Sequence, residues 1–278
     1  MASNPLSITS TVKLSSGHAM PTVGLGVALN SDAKDTVPIA LAAGYRLIDC
    51  AQRYGNEAEV GEGVRASGVP RSDVFVTSKI MSTNAGYEST MTGVEASLKA
   101  FGFDYLDLFL IHDPKCGSEL RLATYRALIE LRDKGKLKSI GVSNYGVHHL
   151  EEIQKAGLEL PAVNQVETHP FCQQRPIVAW CREHGIAVQA FCPLVRGRMD
   201  DPVIVSIAKK HNRDPAQILV RWSLQHGLVP LPKSSHAARI KSNINVYDFE
   251  LDKEDMDALD SLDQGAQGAV SWNPVDSP

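Results

Sequence analysis

Eight times along this chain a short apolar run is followed by a longer amphipathic stretch. "TVGLG" (22–26) precedes a helical pattern over 35–43, "RLIDC" one over 56–66, and "VFVTSK" one over 89–101. "LDLFLIH" leads to 118–134, "SIGVSN" to 147–156 and "AVNQVE" to 176–184. "AVQAFCP" is followed by two helical stretches, 202–211 and 215–225, and "LVPLPK" by 236–243. Strands separated by helices pair in parallel, because a helical crossover returns the chain to the same end of the sheet. Eight such units in about 250 residues is the size of a closed (β/α)8 barrel. Spacing cannot see closure, so an open, doubly wound sheet stands as the alternative.

The flanks extend this pattern. In "STVKLSSGHAMP" a Ser16-Gly17 turn joins two short β-prone runs, a hairpin that would plug the amino-terminal end of the barrel. Past the eighth unit, "LDKEDMDALDSLD" reads as an extra helix, with Asp252 as N-cap and Asp255 at its third position. The tail "QGAQGAVSWNPVDSP" is rich in Gly and Pro and reads as loop. No linker or longer repeat interrupts the chain, so one domain over 1–278 is expected.

Composition removes several function classes. The balance of 28 basic against 32 acidic residues leaves no cationic footprint for nucleic acid, and 6% aromatic residues is too sparse for a base-stacking platform. No run approaches the ~18 apolar residues of a membrane span. "MASNPLSITSTVKL" has no basic segment followed by an apolar one, so a cytoplasmic protein without a signal peptide is expected. The five cysteines (Cys50, Cys116, Cys172, Cys181, Cys192) include no C-x-x-C, which argues against a disulfide framework or a zinc ribbon. His148 and His149 precede Glu151 and Glu152, but adjacent helical residues point about 100° apart and cannot converge on one ion. They read as a solvated helix face, and no metal is expected.

In a (β/α)8 barrel chemistry gathers at the carboxyl ends of the strands. The polar residues there are Asp49 (with Tyr54 five residues on), Lys79, His112, Ser143 and Asn144, Gln165, and Lys233. Polar residues mark strand ends in any α/β protein, but that explains poorly a carboxylate, a phenol, an ammonium and an imidazole around one mouth. These four suit carbonyl reduction, in which oxygen needs a proton as hydride reaches carbon. A phenol with a pKa of about 10 is a poor donor at neutral pH unless a cation lowers it. Lys79 would do this, Asp49 would keep Lys79 charged, and a neutral His112 would orient the substrate oxygen.

The segments "GYRLIDCAQRYGNE", Ser78-Lys79, "DLFLIHDP", "GVSNY", "VNQVETHP" and "PKSSHAARIKSN" follow in order, and together they resemble the aldo-keto reductase family over almost the whole chain. The resemblance implies an NADPH-dependent carbonyl reductase with a tetrad of Asp49, Tyr54, Lys79 and His112 and Tyr54 as proton donor. It further implies that Ser143, Asn144 and Gln165 hold the nicotinamide carboxamide, and that Lys233, Ser234, Arg239 and Asn243 surround the adenosine 2′-phosphate. No Rossmann fingerprint is needed; the "GLG" at 24–26 has Leu29 where the last glycine of G-x-G-x-x-G belongs. The implied partner is a small carbonyl compound, the implied state a monomer.

Three departures from the family pattern bear on the pocket. Phe191 stands where a tyrosine commonly stacks on the nicotinamide. Asp113 follows His112, and Ile80-Met81 follow Lys79, where bulky aromatics are common. Val27 and Ala28 occupy the first loop, and Trp272 in the tail could supply an aromatic wall or simply pin the tail. Near the mouth Asp113 would disfavour anionic substrates; the alternative is a turn residue bonded to its own loop. Two other functions stay open: a Schiff-base aldolase or isomerase, which requires a neutral Lys79, and a redox-sensing nicotinamide-binding module without turnover.

Overall fold

The computed structural model describes residues 6–278. Residues 1–5, part of the amino-terminal stretch read above for a leader, lie outside the described residues. In chain order the elements are β1 (Thr11–Lys13), β2 (Ala19–Pro21), β3 (Leu25–Gly26), α1 (Ala33–Ala43), β4 (Leu47–Asp49) and α2 (Glu57–Ala66). Then come β5 (Phe75–Ile80), α3 (Tyr87–Phe101), β6 (Leu106–Ile111), α4 (Ser118–Asp133), β7 (Leu137–Ser143) and α5 (Val147–Lys155). The chain continues through β8 (Val163–Glu167), α6 (Arg175–Glu183), β9 (Ala187–Phe191), α7 (Pro202–His211), α8 (Pro215–Gln225), β10 (Val229–Pro230), α9 (Ala237–Ile244) and α10 (Lys253–Asp260).

Strands β3 to β10 form one eight-stranded parallel sheet in sequence order. Its two ends meet: Gly24 N–H donates to the Pro230 carbonyl (3.1 Å), Gly26 N–H to the Pro232 carbonyl (3.0 Å), and Gly26 lies opposite Lys233 in a parallel bridge. The sheet is therefore a closed barrel, not an open one. Glycine is needed at this seam, because a Cβ on Gly24 would sit 2.6 Å from Leu47 Cγ. With helices outside and side chains filling the interior, both faces of a strand are buried, which is why β5 is buried at every position.

Two apolar layers follow from this arrangement. Leu47, Phe75, Leu108, Leu110, Val163, Val229 and Leu231 fill the barrel, and the β1–β2 hairpin closes its amino-terminal end by adding Met20 of β2 and Leu14, just past β1, to that cluster. The larger core lies between sheet and helices and includes Val37, Tyr45, Val60, Phe109, Leu128 and Trp222. The extra helix α10 starts as expected, the Asp252 carboxylate accepting the Asp255 N–H at 2.9 Å. Among the described residues no helix is long and apolar enough to cross a membrane.

The carboxyl-terminal tail departs from expectation. It contains a short 3-10 turn, Gly265–Gly268, and is bound along its length. His149 is fully buried instead of solvated, while His148 is exposed. His149 Nδ1 accepts the Gly146 N–H (3.0 Å), so Nε2 carries the proton and donates to the Ser277 carbonyl (2.9 Å). His148 Nε2 reaches the same carbonyl at 3.0 Å. Beside them the buried Arg121 pairs with Glu152 through two nitrogens (2.9 and 3.0 Å) and donates to the Pro278 oxygen (2.8 Å). The histidine pair holds the tail.

Candidate active site

The carboxyl ends of the strands surround a cleft of about 1290 Å³. Asp49 ends β4, and a 3-10 turn, Gln52–Tyr54, brings Tyr54 back over the strand. Gly55, at φ +69, ends that turn. Lys79 projects from β5, and His112 follows the last residue of β6.

These four form one connected group. Lys79, fully buried, donates to Asp49 Oδ2 (2.8 Å) and to the Cys50 carbonyl (2.9 Å), with Nζ 3.5 Å from the Tyr54 hydroxyl. A buried ion pair persists only when desolvation is offset by close oxygen partners, and here three surround one ammonium. Tyr54 and His112 meet edge to face, ring centres 5.9 Å apart.

The electrostatics refine the expectation from sequence. Burial pulls the Lys79 ammonium toward neutrality, but Asp49 and the neighbouring phenol outweigh it and hold the pKa above the ordinary value. A lysine held this way is a charged group, not the neutral amine of a Schiff base. Tyr54 is raised, not lowered: burial dominates, and the pull of Lys79 is partly undone by Asp49. The phenol thus keeps its proton at neutral pH, as a donor must. Burial, then Lys79 and Arg53, push His112 down to about 3, so its imidazole is neutral.

A second group lies beside the tetrad. Asp49 can only accept, so Gln165 must turn its amide nitrogen to Oδ1 (2.8 Å); the same nitrogen donates to Gln189 Oε1 (2.8 Å). The Gln165 carbonyl oxygen is thereby left as an acceptor in the cleft. Asn144, at φ +62, donates from Nδ2 to the His112 carbonyl (3.0 Å), and its buried Oδ1 has no partner. Ser143 donates to the Gln165 backbone carbonyl at 2.8 Å. Two acceptors on one wall fit a group with two N–H donors, such as a carboxamide.

Phe191, Lys233, Ser234, Arg239, Asn243, Ala28 and Trp272 also line the cleft. Lys233 and Arg239 are exposed; Lys233 precedes α9, and Arg239 and Asn243 stand one turn apart on it. Three expected pocket residues do not line it. Val27 is fully buried in the core between sheet and helices, and Met81 lies outside the lining. Asp113 is fully buried, its carboxylate accepting the Lys115 N–H (3.1 Å) and facing the Ser82 N–H (3.4 Å). It is the turn residue of the alternative reading, and its charge is directed into the loop.

Sequence reasoning missed Arg53 and Arg196, both in the lining. Adjacency to Tyr54 could have signalled Arg53. Arg196 lies in a turn with φ +51, which no residue type there announces, and donates to Ser271 Oγ at 3.0 Å, tying the loop after β9 to the tail. Glu167, buried at the end of β8, accepts the Val270 and Ser271 N–H groups and the His169 Nε2–H. That anchor sets Trp272 in the cleft wall.

A model of the aldo/keto reductase family matches residues 14–264. Over 274 residues the chain is 46% identical to glyoxal reductase of Bacillus subtilis, covering 97% of this chain and 98% of that protein. An aldo-keto reductase enzyme from a Medee basin deep-sea metagenome library superposes with a TM-score of 0.92 at 40% identity, covering 97% of this chain and 99% of that one. A Bombyx mori aldo-keto reductase solved in complex with NADP superposes with a TM-score of 0.88 at 32% identity, covering 95% of each chain.

Proposed function

The chain belongs to the aldo/keto reductase family, and from that premise we propose that it is an NADPH-dependent reductase of aldehydes and ketones with Tyr54 as the proton donor. The observation that carries this reading is the buried ion pair of Lys79 and Asp49 behind a protonated phenol, with a neutral imidazole at its side. NADPH, when bound, supplies the hydride that reduces the carbonyl carbon. The residues of this chain do the rest.

Gln165 and Asn144 offer their free oxygens to the carboxamide N–H groups, and Phe191 offers a ring face for the nicotinamide. Lys233 and Arg239 suit the 2′-phosphate, with Ser234 next to Lys233 and Asn243 one helical turn beyond Arg239 in the same lining. His112, neutral, hydrogen-bonds the substrate oxygen and presents it to the phenol. Tyr54 gives up its proton as negative charge builds on that oxygen, and the adjacent ammonium stabilises the phenolate left behind. General acid catalysis of this kind contributes roughly 10²–10⁴-fold, the remainder coming from positioning. The rest of our reading is a cytoplasmic monomer acting on small carbonyl compounds as one domain.

The test is a panel of aldehydes, dicarbonyls including glyoxal, and ketones, followed by NADPH absorbance with purified protein. Multiple turnover with any member supports the reading. Stoichiometric binding of NADPH with no turnover across the panel would instead make the chain a nicotinamide-binding module.

A further inference from the structure

Six charged side chains line the cleft: Asp49, Asp214, Arg53, Arg196, Lys233 and Arg239. Both carboxylates are engaged. Asp49 is paired with Lys79, and Asp214 caps α8 and accepts from Ser242 Oγ at 3.0 Å. Among the cations, Lys233 and Arg239 stand at the α9 end, where the reading above places the 2′-phosphate, and Arg196 is bonded to Ser271. Arg53 is left over. It is exposed, shares a 3-10 turn with Tyr54, and has no carboxylate within ion-pair distance among the described residues. It is also near enough to His112 to help keep that imidazole neutral.

An unpaired guanidinium beside the reacting end of a cleft is a recognition group for an anion, since its donors form a fork that matches a carboxylate. Asp113, the acidic residue that the sequence places next to His112, is turned away onto the N–H groups of Lys115 and Ser82 and does not oppose this. Exposed Leu29 and Trp272 add apolar surface at the rim, so the cleft offers a cation and apolar walls to the non-reacting part of a substrate. We infer that Arg53 is a specificity-determining residue that selects carbonyl substrates bearing an anionic group, such as oxo acids, over neutral ones. This inference deepens the carbonyl-reductase reading and rests on it.

The test compares kcat/KM for para-carboxybenzaldehyde and its methyl ester, which present the same aldehyde with and without the charge. The ester is the more electron-withdrawing of the two, so an advantage for the acid must come from the protein. The wild-type ratio of acid to ester is expected to exceed one by about fivefold to tenfold, and to shrink as salt is added. Arg53→Gln should lower that ratio by the same factor, while Arg53→Lys should keep much of it because the charge stays. A wild-type ratio at or below one, or a ratio that Arg53→Gln does not move, overturns the inference. Reduction of the ester in that case leaves the reductase reading standing. If neither compound nor any other carbonyl is reduced, the reductase reading fails and this one falls with it.

Discussion

Removing the Lys79 ammonium should harm catalysis more when Asp49 is left behind than when it is removed as well. With Nζ 3.5 Å from the Tyr54 oxygen, a full phenolate charge gains about 5 kcal/mol from the ammonium at an effective dielectric near 20. Asp49, roughly 6 Å from that oxygen if the three groups line up, takes back about half. Lys79→Met therefore leaves a repelled phenolate and should slow turnover on the order of 10³-fold. Asp49→Asn with Lys79→Met removes both charges, so the net loss is only about 2 kcal/mol, on the order of 30-fold. Stability should follow the same order. A carboxylate stripped of its buried partner costs about 3–5 kcal/mol, whereas asparagine still offers Gln165 an oxygen acceptor where Oδ1 now takes its N–H. Single-turnover NADPH oxidation and urea midpoints on the wild type and the two variants give both readouts. A double variant no faster and no more stable than Lys79→Met would refute the electrostatic account.

Other outcomes follow from the same geometry. His112 and His149 are held down to about 3 and about 4, in each case chiefly by burial. Because these folded values lie below the ordinary 6.5, the unfolded chain takes up protons first as pH falls, and stability is lost from about 6.5 downward. Each should cost about 1.4 kcal/mol by roughly pH 5.5; denaturant midpoints against pH should show this, with a flatter slope for His149→Gln. Arg239→Ala should reduce the preference for NADPH over NADH by about tenfold or more, read as the ratio of the two dissociation constants.

Much of this was legible because period and position carry it. Eight alternations announced the barrel, and the residue at each strand end announced Asp49, Lys79, His112 and Gln165. What was not legible depends on contacts distant in sequence. Closure rests on two-residue strands, β3 and β10, and on glycines at 24 and 26 that admit close approach. Asp113 follows His112 in sequence, yet the turn at Pro114 directs its carboxylate to the N–H groups of Ser82 and Lys115. The environment of Tyr54 is only half legible, because the sequence shows the neighbouring cation but not the burial that opposes it. The tail reads as loop by composition, and only the fold reveals Glu167 and His149 waiting for its backbone.

The central claim, that Tyr54 supplies the proton, is tested most directly by the single-turnover rate of Tyr54→Phe with a saturating aldehyde and prebound NADPH. That side chain keeps the ring beside His112 and loses only the hydroxyl near Lys79. The account predicts a rate at least about 10²-fold below wild type, with the NADPH dissociation constant unchanged. A variant that reduces the aldehyde at the wild-type rate would contradict it.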